Sequence, residues 1–213
     1  MIRRVLIPLT LLALTTAACG KSSEATSAAD IRYPATTDGL HSLIKDMGDA
    51  EAAGEDRRAA AIALSLFPAE YEAWFNDTFG PEVGKRLIAE YAPNLDQFPT
   101  LPKLMIRQRD RGRTTIRVEK FDKADDPEST TYQSVAFKAM KQPVTLYSVR
   151  LTEPSKNGGL HLYNFVHDGQ TFKFVGQLRA VTDGPPPSPE LDAVSSLRLK
   201  DAKTFFDTGK LPD

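Results

Sequence analysis

Cysteine is nearly missing: Cys19 is the single one in 213 residues. An intramolecular disulfide is excluded, so stability must come from an ordinary hydrophobic core. Histidine is scarce too, present only as His41, His161 and His167. His161 and His167 fall in one strand-like stretch and, in a regular strand, share a face. Six residues at ~3.3 Å nevertheless put them about 20 Å apart. A single zinc, with bonds of ~2.0–2.1 Å, cannot take both, and neither a metal site nor a cofactor is expected. No Gly-x-Ser-x-Gly occurs, so the sequence offers no nucleophile elbow. Asp125, Asp126 and Glu128 lack the alternating spacing of a calcium loop. Asn157-Gly158-Gly159 opens no helix that could cradle a phosphate. A long apolar run is missing as well. Residues 5–18 make the longest candidate, and 14 residues at ~1.5 Å each reach about 21 Å, short of a ~30 Å hydrocarbon core. No catalytic motif is specific enough to name a reaction.

What is present starts at the N-terminus. Arg3 and Arg4 precede a largely apolar stretch, and Thr15-Thr16-Ala17-Ala18 leads into Cys19. A positive start, a short apolar segment and small residues before a cut form the layout of a secretory signal. Ala17-Ala18-Cys19 resembles the lipobox of bacterial lipoproteins. That resemblance implies cleavage after residue 18, lipidation of Cys19, and a chain hung from a membrane. Gly20 in place of Asp after the cysteine implies an outer-membrane address facing the periplasm. The following GKSSEATSAA is small and polar, which suits a tether. The expected organisation is a signal over 1–18, a lipidated Cys and flexible tether over 19–37, one domain over 38–182, and a Pro-rich linker with a tail over 183–213.

Hydrophobic and charged contents of 41% and 26% are globular values. A net charge of −1 excludes a general nucleic-acid binder. The charge is unevenly spread. Residues 38–100 hold 12 acidic against 5 basic side chains, and residues 101–180 hold 14 basic against 8 acidic. The first half is acidic and the second basic.

Periodicity predicts helices first. Asp38 is read as an N-cap for a face of Leu40, Leu43, Ile44 and Met47, with Gly48 weakening the end. Residues 55–67 carry Ala59, Ile62, Ala63 and Leu66 on one side. Pro68 stops that helix, and residues 69–79 present Tyr71, Trp74, Phe75 and Phe79. Gly80-Pro81 breaks the chain and starts a helix through Leu87 and Tyr91. Pro93, Pro99 and Pro102 are read as irregular chain. Strands are then expected over 114–121, 132–138 and 144–151. Two more flank Asp168-Gly169 as a two-residue hairpin turn. In that register Phe165 faces Phe172, Tyr163 faces Phe174, and His161 faces Gly176. The fold class is therefore α+β, with N-terminal helices packed on one face of a curved, mostly antiparallel sheet of about five strands. This order, with the hairpin LHLYNFVHDGQTFKFVGQL, resembles the NTF2-like (cystatin-like) family, which implies a conical pocket between sheet and helices.

Three candidate sites follow. An aromatic pocket would be lined by Trp74, Tyr163, Phe165, Phe172 and Phe174, with His161 as its polar contact or, if a carboxylate adjoins it, a general base. In the stretch RQRDRGRTTIRVEK, the residues Arg107, Arg109, Arg111 and Arg113 alternate, so an extended segment would place them on one face, with Arg117 beyond. They would meet an anionic surface or the acidic helices of their own chain. Phe205-Phe206 in the tail would dock on the domain or on another protein. The expected function is a membrane-anchored envelope lipoprotein that binds a protein partner or a small apolar ligand. The alternative is a small hydrolase or isomerase using His161. The anchoring is directly testable. Cys19→Ser should move the protein from the detergent-extracted membrane fraction to the aqueous fraction, because each buried acyl CH₂ contributes ~0.8 kcal/mol to membrane binding. Fractionation followed by mass spectrometry of the mature N-terminus checks this. A wild-type chain recovered unacylated from the aqueous fraction would refute it.

Overall fold

A computed structural model describes residues 28–156 and 158–182. Cys19 and the tail with Phe205-Phe206 lie outside the described residues. Helices come first: α1 (Thr37–Ala52), α2 (Asp56–Ser65), α3 (Tyr71–Phe79), α4 (Pro81–Tyr91) and, after a 3₁₀ stretch at Ala92–Thr100, α5 (Leu101–Asp110). Then come β1 (Thr115–Phe121), α6 (Thr131–Ala139), β2 (Leu146–Thr152), β3 (Gly159–His167), β4 (Phe172–Phe174) and a last 3₁₀ turn at Arg179–Val181. The sheet is an antiparallel meander of four strands in the order β1-β2-β3-β4. The α+β class and the antiparallel sheet are as the sequence implies. The strand number is not.

The difference lies at residues 132–138, which form helix α6 instead of a strand. Thr130 accepts a hydrogen bond from the Gln133 backbone N–H, and the Gln133 side chain accepts from the Thr130 N–H. This reciprocal cap satisfies two orphan donors at the helix start and outweighs the β-propensity of Tyr132, Val135 and Phe137. Helix α5 is the second departure, since its stretch reads as irregular from its prolines. Pro102 sits in the first turn, where its missing N–H costs nothing. Helix α1 begins two residues earlier than expected: Thr36, not Asp38, is the N-cap, and its Oγ1 accepts from Gly39 N–H at 3.0 Å.

The core is built by the apolar faces that the spacing marks out. Leu40, Leu43, Ile44 and Met47 of α1 are fully buried, as are Ala59, Ile62 and Ala63 of α2 and Leu66 just beyond it. Residues 31–36, assigned to the tether from composition, belong to the folded body. Ile31 is buried in the core. The Tyr33 hydroxyl donates to Asp46 at 2.8 Å, and Tyr147 donates to the Ala35 carbonyl at 2.9 Å. Strand β2 is buried on both faces, with Leu146, Ser148 and Thr152 on one and Tyr147, Val149 and Leu151 on the other. Cover is therefore not confined to one side of the sheet.

Strand β3 carries a bulge. Val149 pairs with Leu162 but Tyr147 pairs with Phe165, so one residue of β3 is extra. Asn164 absorbs it with φ +50°, a left-handed conformation that Asn tolerates better than most side chains. Its amide is fully buried and doubly bonded: Oδ1 accepts from Gln133 Nε2 at 3.0 Å, and Nδ2 donates to the Gly176 carbonyl at 2.9 Å. The bulge reverses the side-chain alternation. Leu162 and Phe165 share the Tyr147–Val149 face, whereas His161 pairs with Arg150 on the opposite face. The hairpin register also differs from the expectation. Phe165 pairs with Phe174 and His167 with Phe172, across a four-residue loop instead of Asp168-Gly169 alone. Asp168 closes that loop by accepting from the N–H groups of Gln170 and Thr171, both at 2.9 Å.

Both sheet edges are managed. On β4, Phe174 N–H donates to the Leu66 carbonyl and Lys173 Nζ to the Ser65 carbonyl, so the end of α2 covers that edge. On β1, the exposed charges Arg117 and Lys120 blunt the other. The bulge yields a stability prediction. Asn164→Leu should lower the unfolding free energy by roughly 3 kcal/mol, because it strands the Gln133 amide and the Gly176 carbonyl and places an ordinary residue in the left-handed region. Asn164→Gly should cost less, since it relieves the backbone. Urea unfolding of the two variants checks the order; equal stability to wild type would show that the amide bridges contribute nothing.

Candidate functional site

A cleft of about 250 Å³ lies between α1, the end of α5, and the sheet. A second hollow, at Phe75, Tyr91 and Gly176, holds only about 10 Å³. The floor of the cleft is aliphatic: Ile44 from α1, Met105 from α5, Ile116 from β1 and Leu151 from β2. Ile116 and Leu151 are register partners, so the sheet supplies its half as one rigid pair. The rim is basic, made by His41, Lys45, Arg109 and Arg113. No lining residue is acidic.

Local sequence explains how those cations arrive there. Helix α5 ends at Asp110 with Arg111 as its C-cap, and Gly112 follows at φ +78°. Gly112 N–H bonds to the Arg109 carbonyl at 2.8 Å and Arg113 N–H to the Gln108 carbonyl at 2.9 Å. This paired closure is a Schellman motif, which needs a left-handed residue that glycine supplies at little cost. It turns the chain sharply from α5 into β1 and brings Arg113 back beside the helix. The buried Gln108 then accepts a hydrogen bond from Arg113 through Oε1.

Arg109 is held from the other side. It donates from Nη2 to Asp49 Oδ1 at 2.7 Å and to the Lys45 carbonyl at 3.5 Å. Lys45 also pairs with Asp49. Gly48 makes this approach possible: a Cβ there would lie 2.8 Å from Arg109 Nη2 and 3.3 Å from Met105 Cβ. What reads in the sequence as a helix weakener is the point where α5 and its arginine cross α1. The Arg109–Asp49 pair is partly exposed, so it contributes at most about 1 kcal/mol to stability. Its consequence is positional. Hydrogen bonds from Lys45 and then Arg109 hold the Asp49 carboxyl below the usual carboxylate range.

The arginine series therefore shares no single extended face. Arg107 and Arg109 lie in the last turn of α5, Arg111 is its C-cap, Arg113 is in the turn, and Arg117 is on β1. Residues two apart on a helix diverge by about 200°, which is why the alternation does not gather them. Arg109 and Arg113 meet at the cleft. Arg117 pairs with Arg150 on the opposite sheet face.

The aromatic set is likewise divided. Phe165 and Phe172 are fully buried, and Phe174 packs on Phe165 with ring centroids 5.1 Å apart. Trp74 packs on Phe75 and Phe79 in α3, at 5.0 and 6.0 Å. His161 and Tyr163 stack on each other at 3.7 Å and line neither hollow. The nearest register neighbour of His161 is Arg150, which pairs with Glu119 at 3.3 Å. His167 lies on the other face of the sheet from His161. Its Nε2 donates to the Tyr33 carbonyl at 2.8 Å and its Nδ1 accepts from Gly169 N–H at 3.1 Å, which sets the tautomer. Asp126 serves its own loop, accepting from Glu128 N–H at 3.0 Å.

Sequence reasoning named Arg109 and Arg113 but missed His41, Lys45, Ile44, Met105, Ile116 and Leu151 as their companions. A signal existed for α5: Pro102 as a start, Leu104, Met105 and Gln108 on one side, and Gly112 as a stop. In comparisons with known proteins, no family model, curated protein or solved structure matches this chain.

The Arg109–Asp49 contact can be read by titration. Depressed carboxylate pKa values mean that the contact contributes stability above the ordinary value, ~3.9, and that this contribution is lost as pH falls through the folded value. Arg109→Gln should raise the Asp49 pKa toward that ordinary value, as followed by ¹³C NMR of the carboxyl group. An unchanged Asp49 titration would assign the whole effect to Lys45.

Proposed function

We propose that the protein is a lipid-anchored binding module of the bacterial cell envelope, tethered through Cys19 and taking its ligand into the α1–α5–sheet cleft. The single observation that carries this reading is the lining of that cleft. Cations stand over an aliphatic floor, and no carboxylate is among the residues that line the cleft with His41. Such a lining attracts and holds; it supplies no group arrangement for bond cleavage. The order of helices ahead of an antiparallel sheet supports the expected kinship with the NTF2-like family. A scaffold of that kind hosts many activities, so the site and not the fold carries the functional argument. Among the described residues no helix is long and apolar enough to cross a membrane, and the anchoring therefore rests on the lipobox-like Ala17-Ala18-Cys19.

The cleft as ligand site is tested by closing it without altering the charges of Lys45, Arg109 or Arg113. His41 is half-buried at the rim, so a tryptophan there can fill the mouth from the helix surface. The wild-type chain purified from its own envelope should carry a small molecule released by solvent extraction and seen by mass spectrometry. The His41→Trp variant should carry substantially less. Identical cargo in the two proteins, or none in either, would overturn the reading.

A further inference from the structure

Resting on the cleft as the ligand site, we infer that its occupant is a small amphipathic anion: one carboxylate or phosphate head on a single medium-length aliphatic tail, taken up from solution.

Charge points to the head. Lys45 and Arg109 are cations at the rim, and Asp49 is the carboxylate bonded to both. Two positive charges sharing one carboxylate leave a local excess for an anion to neutralise. Low-dielectric walls around such a cluster focus its field into the opening. Arg109 is also oriented in advance. Its bonds to Asp49 and Lys45 both leave from Nη2, and a guanidinium carries five donors in a planar fork suited to a carboxylate or phosphate. Because Gly48 and Asp49 already fix the guanidinium against α1, little side-chain entropy remains to be lost on binding.

The floor points to the tail. Ile44, Met105, Ile116 and Leu151 are aliphatic, and no Phe, Tyr or Trp lines the cleft to stack on a planar ligand. Met105 adds an adaptable surface that fits chains better than rigid shapes. Size sets the upper limit. At about 30 Å³ for each water-sized group, 250 Å³ holds roughly eight such groups, enough for one short chain and too little for the paired chains of a membrane lipid. A neutral alcohol would satisfy the floor and leave the positive excess of the rim unmet. A small inorganic anion would satisfy the rim and leave the floor wet.

The test is isothermal titration calorimetry on the full chain carrying Cys19→Ser, which avoids partition of the probe into vesicles. Sodium octanoate should bind one-to-one, at least about tenfold tighter than octan-1-ol, octyltrimethylammonium or acetate. Arg109→Gln should weaken octanoate by about tenfold, since it removes a charged, two-pronged donor. Gly48→Ala should weaken it comparably by pushing Nη2 aside, with the thermal midpoint of both variants within a few degrees of the parent. That midpoint separates lost binding from lost fold. Octan-1-ol binding as tightly as octanoate, with His41→Trp abolishing both, would overturn the anion assignment while keeping the cleft as the ligand site. Octanoate binding untouched by Arg109→Gln, Gly48→Ala and His41→Trp would place the probe elsewhere and overturn it as well. So would the absence of octanoate binding. Retention on phosphatidylglycerol vesicles but not phosphatidylcholine vesicles, lost in Arg109→Gln and without octanoate heat, would transfer the cations to a membrane surface and sink the small-molecule assignment.

Discussion

Asn164 holds a left-handed backbone in the middle of a strand, and two buried hydrogen bonds keep it there. A strand with strict alternation would put His161, Tyr163, Phe165 and His167 on one face. The extra residue instead sends Phe165 and Leu162 into the helix-facing core and leaves His161 paired with Arg150 on the far side. Because the bulge lies between the Tyr147 and Val149 pairings, the upper half of β2 keeps its own register with β1. Leu151 thus remains opposite Ile116 under the cleft. One buried amide also ties three pieces of chain together: α6 through Gln133, the body of β3, and the segment after β4 through Gly176. A buried amide in such a network is costly when half-satisfied and ordering when complete.

A second close approach builds the site. The acidic and basic halves of the chain meet where Arg109 crosses Gly48 to reach Asp49. The exposed ion pair stabilises little, yet it decides where a guanidinium points. The Schellman closure at Gly112 performs the same service for Arg113 through Gln108. Two glycines and two short hydrogen-bonded contacts therefore convert a dispersed run of arginines into two that face one hollow.

Local signals in the sequence carried the parts of the fold that depend on a single element. The apolar faces of α1 and α2 follow from 3.6-residue spacing, and Gly80-Pro81 marks the α3–α4 break because both residues act on their own backbone. The errors arise where a distant or less conspicuous partner decides. Tyr132, Val135 and Phe137 look like a strand unless the Thr130–Gln133 reciprocal cap is noticed. The register slip at Asp168 depends on side-chain bonds that close a longer loop than Asp-Gly requires. The bulge at Asn164 is illegible locally, since its reason is an amide partner 31 residues away. The cleft is harder still: it draws residues from α1, α5, β1 and β2, so no window of sequence contains it.

The opposite sheet face shows why the cleft, and not His161, is the better seat for function. There the charges pair with each other: Glu119 takes Arg150 at 3.3 Å and accepts from Ser148 at 3.3 Å, and His161 stacks on Tyr163. Charges that already neutralise each other at close range have little left to offer a ligand. At the cleft the balance runs the other way, with one carboxylate shared between two cations, Lys45 and Arg109, and an apolar floor below them. An excess of one sign beside desolvating walls costs the folded protein self-repulsion, and that cost falls when an opposite charge arrives. The same imbalance is what would favour an anionic ligand at the proposed site. Screening by salt should therefore weaken the hold on the head while leaving the hydrophobic hold on the tail in place.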